Sequence, residues 1–269
     1  ALVLLPLLML RQSAPRPLSV LKQQGWTLAG VALTSTLLPF LFLSQAALSL
    51  SAGLMSILNA STPLWGAAIG WVTLPVVPFL WIGAGLVGFV LALVNIFKKE
   101  PSAPLVLAYS AAQGVFIGGI SAFYNAAFDG IVIQAVIATL VVVGVTLALF
   151  ASGKIRASKK ATKVFLIAMI GYALFSVVNI FIMIFGGANG NPWGLRGDVT
   201  IAGIPLGVIL GVFVVILAAY SLVLDFDFIQ KGVQNKAPRK YGWTGAFGIM
   251  VTVIWLYLEL LRMFAIARD

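Results

Sequence analysis

Three of the seven acidic residues lie where an ionisable side chain is least expected, in or at the edges of long apolar segments. These residues are Asp225, Asp227 and Glu259, in the last two such segments. A charged group at membrane depth is costly, and such groups usually take part in ion or proton pathways. The other four acids fall in short connections or at the terminus, where solvated surface is expected: Glu100, Asp129, Asp198 and Asp269.

The spacing of Asp225 and Asp227 predicts that the two side chains face different surroundings. Two residues apart on a helix, their side chains point about 200° from each other. One carboxylate can therefore face the bundle interior while the other faces the mouth, near Lys231 or Lys240. The alternative is a structural role at the interface, with both acids paired to these lysines. In the functional interpretation, a carboxylate in a low-dielectric site exchanges a proton near neutral pH.

Two further positions carry polar groups inside predicted spans. Glu259 and Arg262 are three residues apart, which is the spacing of a helical ion pair and favours a structural role near the outer end of the last helix. Gln113 is expected to face the interior and to form a hydrogen bond with a neighbouring helix.

Glycine motifs in the apolar segments predict close helix packing. Gly83, Gly85 and Gly88 spell G-x-G-x-x-G, but no strand or βαβ unit surrounds them, so packing is favoured over dinucleotide binding. Gly114 and Gly118 form a G-x-x-x-G, for which the same role is expected.

Several kinds of chemistry are excluded by residue type. The chain contains no His and no Cys, which removes thiol and imidazole catalysis, disulfides and the usual zinc sites. No nucleophile–base constellation is present among the remaining residues. We therefore expect no enzyme and no resident cofactor.

The elements that position these residues follow from composition. Apolar residues make up 61% of the 269 positions, charged residues 9%, and the mean hydropathy is +1.10, whereas soluble domains carry roughly 25% charged residues. The charges cluster in short runs between long apolar segments, which predicts an all-α integral protein of the lipid bilayer. The net charge of +10 is attributed to basic connections on one side of the membrane and not to nucleic-acid binding.

Apolar windows long enough to cross about 30 Å of hydrocarbon predict eight helices. They run near residues 26–49, 52–74, 78–97, 103–124, 129–151, 163–186, 202–226 and 241–266. The apolar run at 1–10 is too short to span and is expected to be part of a helix.

The basic connections predict an orientation. The connections at 152–163 and 231–240 carry several Lys and Arg and no acid, and two helices separate them, so both are predicted to be cytoplasmic. The 98–102 connection falls on the same side. The C-terminus is then outside.

Two other connections complete this topology. The 187–201 connection, with Arg196 balanced by Asp198, is predicted to lie outside. The basic residues within 11–24 conflict with the rule, because three helices place them outside as well. This conflict suggests that the first 75 residues come from a different topological context.

From about residue 76 onward, the chain resembles the transmembrane Bax-inhibitor motif family in its bacterial YccA-type branch. The stretches that carry the resemblance are LWIGAGLVGFVLALVNIFKKEPS (80–102), LVLAYSAAQGVFIGGISAFY (105–124), AAYSLVLDFDFIQKGV (218–233) and IWLYLELLRMFAIARD (254–269). Residues 1–75 are instead similar to part of an EamA-type drug/metabolite transporter, notably LLPFLFLSQAALSLSAGLMSILNASTPLWGAAIGW (37–71). The chain thus looks like a hybrid, with a transporter-like segment at 1–52 and a seven-helix bundle at 53–269.

The family resemblance implies a pH-sensitive Ca²⁺ leak, gated by an Asp pair between the sixth and seventh helices. The sixth-helix Asp corresponds to Asp225 or Asp227. The seventh-helix Asp falls on Thr252 when residues 258–262 are aligned with the family's terminal motif, so the paired carboxylate is absent here. Glu259 lies two turns along the same face and substitutes only if the packing shifts. Gln113 is a second departure, since relatives in this branch often carry Glu.

Three functions follow as hypotheses. The first is a pH-responsive Ca²⁺ leak of the bacterial cytoplasmic membrane, gated by protonation of Asp225 or Asp227. In this hypothesis the two carboxylates are candidate ligands for Ca²⁺. The second is a non-conducting regulator of a membrane-anchored ATP-dependent protease, a role to which YccA-type relatives are linked. The third, suggested by residues 1–75 alone, is a metabolite exporter.

Overall fold

A computed structural model of the chain describes residues 78–185 and 193–269. Several predictions lie outside the described residues: the helices at 26–49 and 52–74, the apolar run at 1–10 and the transporter origin of residues 1–75. The predicted boundary between residues 52 and 53 lies outside them as well.

Helices account for nearly all of the described chain. In chain order the elements are α1 (Pro78–Phe97), α2 (Ala103–Ala127), α3 (Ile131–Ala151), α4 (Lys159–Phe185), the short α5 (Leu195–Asp198), β1 (Thr200–Ile201), β2 (Ile204–Pro205), α6 (Leu206–Gln234), a 3-10 turn (Arg239–Tyr241) and α7 (Gly242–Arg268). β1 and β2 form a small antiparallel hairpin in which Thr200 pairs with Pro205. The six long helices correspond to six of the eight predicted spans.

The predicted span at 202–226 ends earlier than the corresponding helix α6, and the difference concerns the candidate acids. The helix runs from Leu206 to Gln234, past the predicted end at residue 226. Asp227 and Lys231 form an ion pair at 2.6 Å one turn apart within this extension, which stabilises helical structure there. Asp225 and Asp227 therefore lie within a continuous helix and not at its end.

Length, apolar character and surface together define an integral membrane protein. Five of the described helices, α2, α3, α4, α6 and the α7 helix with its preceding 3-10 turn, are long and apolar enough to cross a bilayer. Large apolar side chains are exposed along α4, from Val164 to Phe185. Of α4, only Phe165 and Asn179 are buried by the described residues. Such a surface is suited to lipid and not to water.

The core of the bundle forms around α7. This helix packs extensively on α6 and also contacts α3 and α2, while α1 packs on α2. Met250, Leu256 and Leu261 of α7 are fully buried. The Tyr257 hydroxyl forms a hydrogen bond of 2.6 Å with Ser121 Oγ of α2, so the polar tip of this buried aromatic ring is satisfied.

Small residues allow α1 and α2 to approach closely. Gly119 of α2 lies directly against the Trp81 side chain of α1, leaving no room for a Cβ atom. A Cβ atom at Gly85 would lie 2.8 Å from Phe116 Cδ2, and one at Gly88 would lie 2.7 Å from Gln113 Nε2. These contacts support the predicted packing role of Gly85 and Gly88. Apart from the backbone of its own helix, no described atom lies within 4 Å of a Cβ position at Gly83 or Gly114.

Substitution of Gly119 by Ala is expected to lower the free energy of unfolding by about 1–3 kcal/mol, because the added methyl group overpacks the contact with Trp81. Gly114→Ala, on the same helix, is the control and should leave stability unchanged or raise it by up to about 1 kcal/mol through helix propensity. Thermal unfolding of the two variants in detergent checks the prediction. Equal melting temperatures would contradict it.

Contacts between connections place the basic segments at one end of the bundle. Lys240 pairs with Glu100 at 3.1 Å, and Arg156 Nη1 donates to Gln230 Oε1 at 2.8 Å. At the other end, Arg268 Nη1 donates to the Asp129 carbonyl oxygen at 2.9 Å. The three connections predicted to share one side of the membrane, 98–102, 152–163 and 231–240, therefore do share one end of the structure.

Candidate functional site

Asp225 of α6 faces Thr252 of α7. The Thr252 hydroxyl donates a hydrogen bond of 2.8 Å to Asp225 Oδ2, and Ser221 Oγ lies 3.2 Å from Thr252 Oγ1. Ser221 and Asp225 are one turn apart on α6, so both side chains lie on the face that meets α7. The result is a partly buried cluster of one carboxylate and two hydroxyls between the two helices.

Gly248 makes room for the Asp225 carboxylate. It lies one turn before Thr252, on the same face of α7. A Cβ atom at this position would lie 2.8 Å from Asp225 Oδ1. The carboxylate is therefore held between a hydroxyl donor and a glycine, close to the backbone of the neighbouring helix.

The structure distinguishes the two acids of α6. No described Lys or Arg lies within ion-pair distance of Asp225, whereas Asp227 forms the 2.6 Å ion pair with Lys231. Asp225 thus faces α7 through Thr252, whereas Asp227 faces Lys231 toward the C-terminal end of α6. The two carboxylates therefore have different partners and do not form a pair. The described residues contain no group of three or more Asp, Glu, His or Cys side chains that could hold a metal ion.

A second polar cluster surrounds Glu259, on the part of α7 toward the C-terminus. Glu259 Oε1 accepts from Arg196 Nη1 at 2.8 Å, and Oε2 accepts from the Tyr172 hydroxyl at 2.8 Å. Arg262 Nη1 lies 3.2 Å from the same Oε2, so the ion pair expected from the spacing is present. Arg196 also donates to Ser176 Oγ at 3.3 Å.

Arg196 is the residue that sequence reasoning missed. Its position in a turn-rich connection beside Asp198 predicts a solvated loop charge, yet its side chain is only 4% exposed. The short helix α5 turns it inward, against Gly207 at the start of α6. Tyr172 and Ser176 are one turn apart on α4, within its apolar part, and these two polar side chains are the signal that the sequence offers.

Glu259 does not take the place of an acid at position 252. The two positions are seven residues apart, about 10.5 Å along the helix. The Glu259 carboxylate is already held by two arginines and a tyrosine. The α6–α7 cluster therefore contains a single described carboxylate, that of Asp225.

Gln113 is buried on α2, as expected for a side chain that faces the interior. Gln113 Oε1 has no hydrogen-bond partner among the described residues, and the interhelical hydrogen bond stays a prediction. The side chain packs against Gly88 of α1.

These observations define an all-α integral membrane protein. Between two of its core helices lies a carboxylate, that of Asp225, which has no basic partner among the described residues. Comparison with protein families adds that the chain matches the family described as Bax inhibitor 1 like over residues 22–269. The protein belongs to this family. A search of curated proteins and a search of solved structures each gave no match. The family match includes residues 22–75, and the EamA-type origin of this segment stays a prediction.

Proposed function

We propose that the protein is a pH-responsive cation leak in which Asp225 controls the contact between α6 and α7. The observation that carries the proposal is the 2.8 Å hydrogen bond from Thr252 to Asp225, a carboxylate in a membrane span with no described basic partner. An ionisable group in such a place is a functional candidate by default. Family membership supports the same class of function.

Protonation would act on this contact directly. A hydrogen bond to an ionised carboxylate is roughly twice as strong as one between neutral groups. When Asp225 binds a proton, the bond that joins the two helices weakens, and the equilibrium shifts toward a state in which they separate. Acidification is therefore expected to increase flux.

The oxygen ligands of the cluster favour a hard cation as the transported ion. The cluster offers a carboxylate and the hydroxyls of Ser221 and Thr252, and Ca²⁺ prefers oxygen ligands. Thr252 supplies no second negative charge. The ion is accordingly a transported species and not a resident cofactor.

Orientation in the membrane is part of the proposal. The connections at 152–163 and 231–240 are basic and would face the cytoplasm under the positive-inside rule. The Glu259 cluster and the C-terminus would then face outside. The membrane implied by the bacterial resemblance is the cytoplasmic one.

The test is Ca²⁺ efflux from proteoliposomes between about pH 8 and pH 5, comparing Asp225→Asn with Asp227→Asn. The wild-type flux is expected to rise about five- to tenfold on acidification, as a charge-assisted bond becomes a neutral one. Asp225→Asn should give the acidic level at every pH. Asp227→Asn is the matched control and should keep the wild-type profile, because Asp227 is paired with Lys231.

Absence of flux at any pH would contradict the proposal. The alternative is then a non-conducting regulator of a membrane-anchored ATP-dependent protease, which is favoured by Thr252 in place of a second acid. Co-purification with such a protease that survives Asp225→Asn would support it. The exporter hypothesis depends on residues 1–75, outside the described residues.

A further inference from the structure

A cavity of about 360 Å³ lies beside the Glu259 cluster, between α1, α2, α4 and α7. It is at the end of the bundle away from the basic connections. Its lining is rich in aromatic side chains: Trp81, Phe116, Tyr124, Tyr172, Trp193 and Trp255. The mechanism proposed above for Asp225 does not use this cavity.

The charged groups at the cavity leave an excess of one positive charge. Arg196 and Arg262 line it, and both pair with the single carboxylate of Glu259. The Arg262 side chain is 31% exposed, so it has surface available to a ligand. Asp269, which accepts a hydrogen bond from Trp193 Nε1, is the other acid in contact with a lining residue, and that contact is exposed to solvent.

Trp81, one of the residues that line this cavity, carries a buried donor without a partner among the described residues. Trp81 Nε1 is buried and has no hydrogen-bond partner among the described residues. An unpaired buried donor is costly, and a ligand acceptor would satisfy it. Asn179 Oδ1, the unpaired acceptor of the lining, lies against Gly194.

We propose that this cavity binds a small monocarboxylate with an aromatic body. One negative charge matches the excess positive charge, and the carboxylate oxygens would accept hydrogen bonds from Arg262 and Trp81. A cavity of about 150 Å³ accommodates benzene, so about 360 Å³ has room for an aromatic ring with its carboxylate. The aromatic lining suits the ring.

Benzoate is the probe, and benzamide, which is neutral and of the same shape, is its matched control. Titration calorimetry on the full chain in detergent is expected to show saturable benzoate binding, at least about tenfold tighter than benzamide, since a hydrogen bond to a charged group is the stronger. Chloride, added as sodium chloride at equal ionic strength, should compete only weakly with benzoate for the cavity. Benzamide binding as tight as benzoate, or chloride binding as tight, would overturn the proposal.

Variants locate the site. Arg262→Gln removes the excess charge and should weaken benzoate binding about tenfold or more, and Trp81→Phe should weaken it about threefold by removing the indole donor. Arg268→Gln is the control, because Arg268 contacts Asp129 and Gln134 outside the cavity. Affinity lost equally in all three variants, or in none, would contradict the site. If Arg262→Gln does not fold, Trp81→Phe and the comparison of benzoate with benzamide still test whether benzoate binds in this cavity.

Discussion

Replacement of Glu259 by Gln is expected to lower the free energy of unfolding by about 3–5 kcal/mol, because it leaves buried arginine charge without its counterion. The Glu259 side chain is 2% exposed and holds Arg196 at 2.8 Å and Arg262 at 3.2 Å. A neutral amide keeps the shape and can still accept a hydrogen bond, so the effect reports charge and not volume. Thermal or denaturant unfolding in detergent measures it.

Glu100→Gln is the matched control for this prediction. Glu100 is also paired with a basic residue, Lys240 at 3.1 Å, but its side chain is 69% exposed. Solvent screens such a pair, and the expected cost is about 0–1 kcal/mol. Similar losses in the two variants would show that the Glu259 pair is not desolvated and would contradict the prediction.

A double variant separates charge pairing from packing. In Arg196→Gln/Glu259→Gln the uncompensated Arg196 charge disappears together with its partner. The loss of stability should therefore be smaller than the sum of the two single losses, by about 0.5–3 kcal/mol. Additive losses would indicate that the two side chains act independently, despite the 2.8 Å contact.

Helix positions could be predicted from the sequence because their limits are local. Charges and prolines bound α1, and its predicted range of 78–97 coincides with Pro78–Phe97. The predicted end of α6 is too early, since Asp225 and Asp227 look like an interfacial boundary. The ion pair of Asp227 with Lys231 continues the helix instead.

The candidate site was predictable in part for a related reason. The spacing of Asp225 and Asp227 predicts that the two side chains point in different directions. The rotation of α6 against α7 determines which of them faces α7. That rotation depends on contacts such as Gly248 against Asp225, which are distant in sequence. The burial of Arg196 is a long-range effect too, because its partner Glu259 lies 63 residues away.

Substitution of Thr252 by Val is expected to raise Ca²⁺ flux at neutral pH roughly ten- to hundredfold, if the proposed gate is correct. Val keeps the shape of Thr and removes the hydroxyl that donates to Asp225 at 2.8 Å. A hydrogen bond to a charged group contributes about 1.5–3 kcal/mol, and each 1.4 kcal/mol changes an equilibrium tenfold. The open state gains by that amount if it lacks the bond.

Thr139→Val provides the control, since Thr139 is also a buried threonine in a spanning helix. Its hydroxyl donates to the Ala135 carbonyl oxygen of its own turn at 2.7 Å. Removal of this hydroxyl does not change the contact between α6 and α7, so the flux should stay at the wild-type level. Thr252→Val introduced into Asp225→Asn should then change flux less than it does in the wild type, because the charge that strengthened the bond is already gone. An equal effect in both backgrounds would mean that Thr252 acts on the leak without Asp225, and the proposed gate between these two side chains would be wrong.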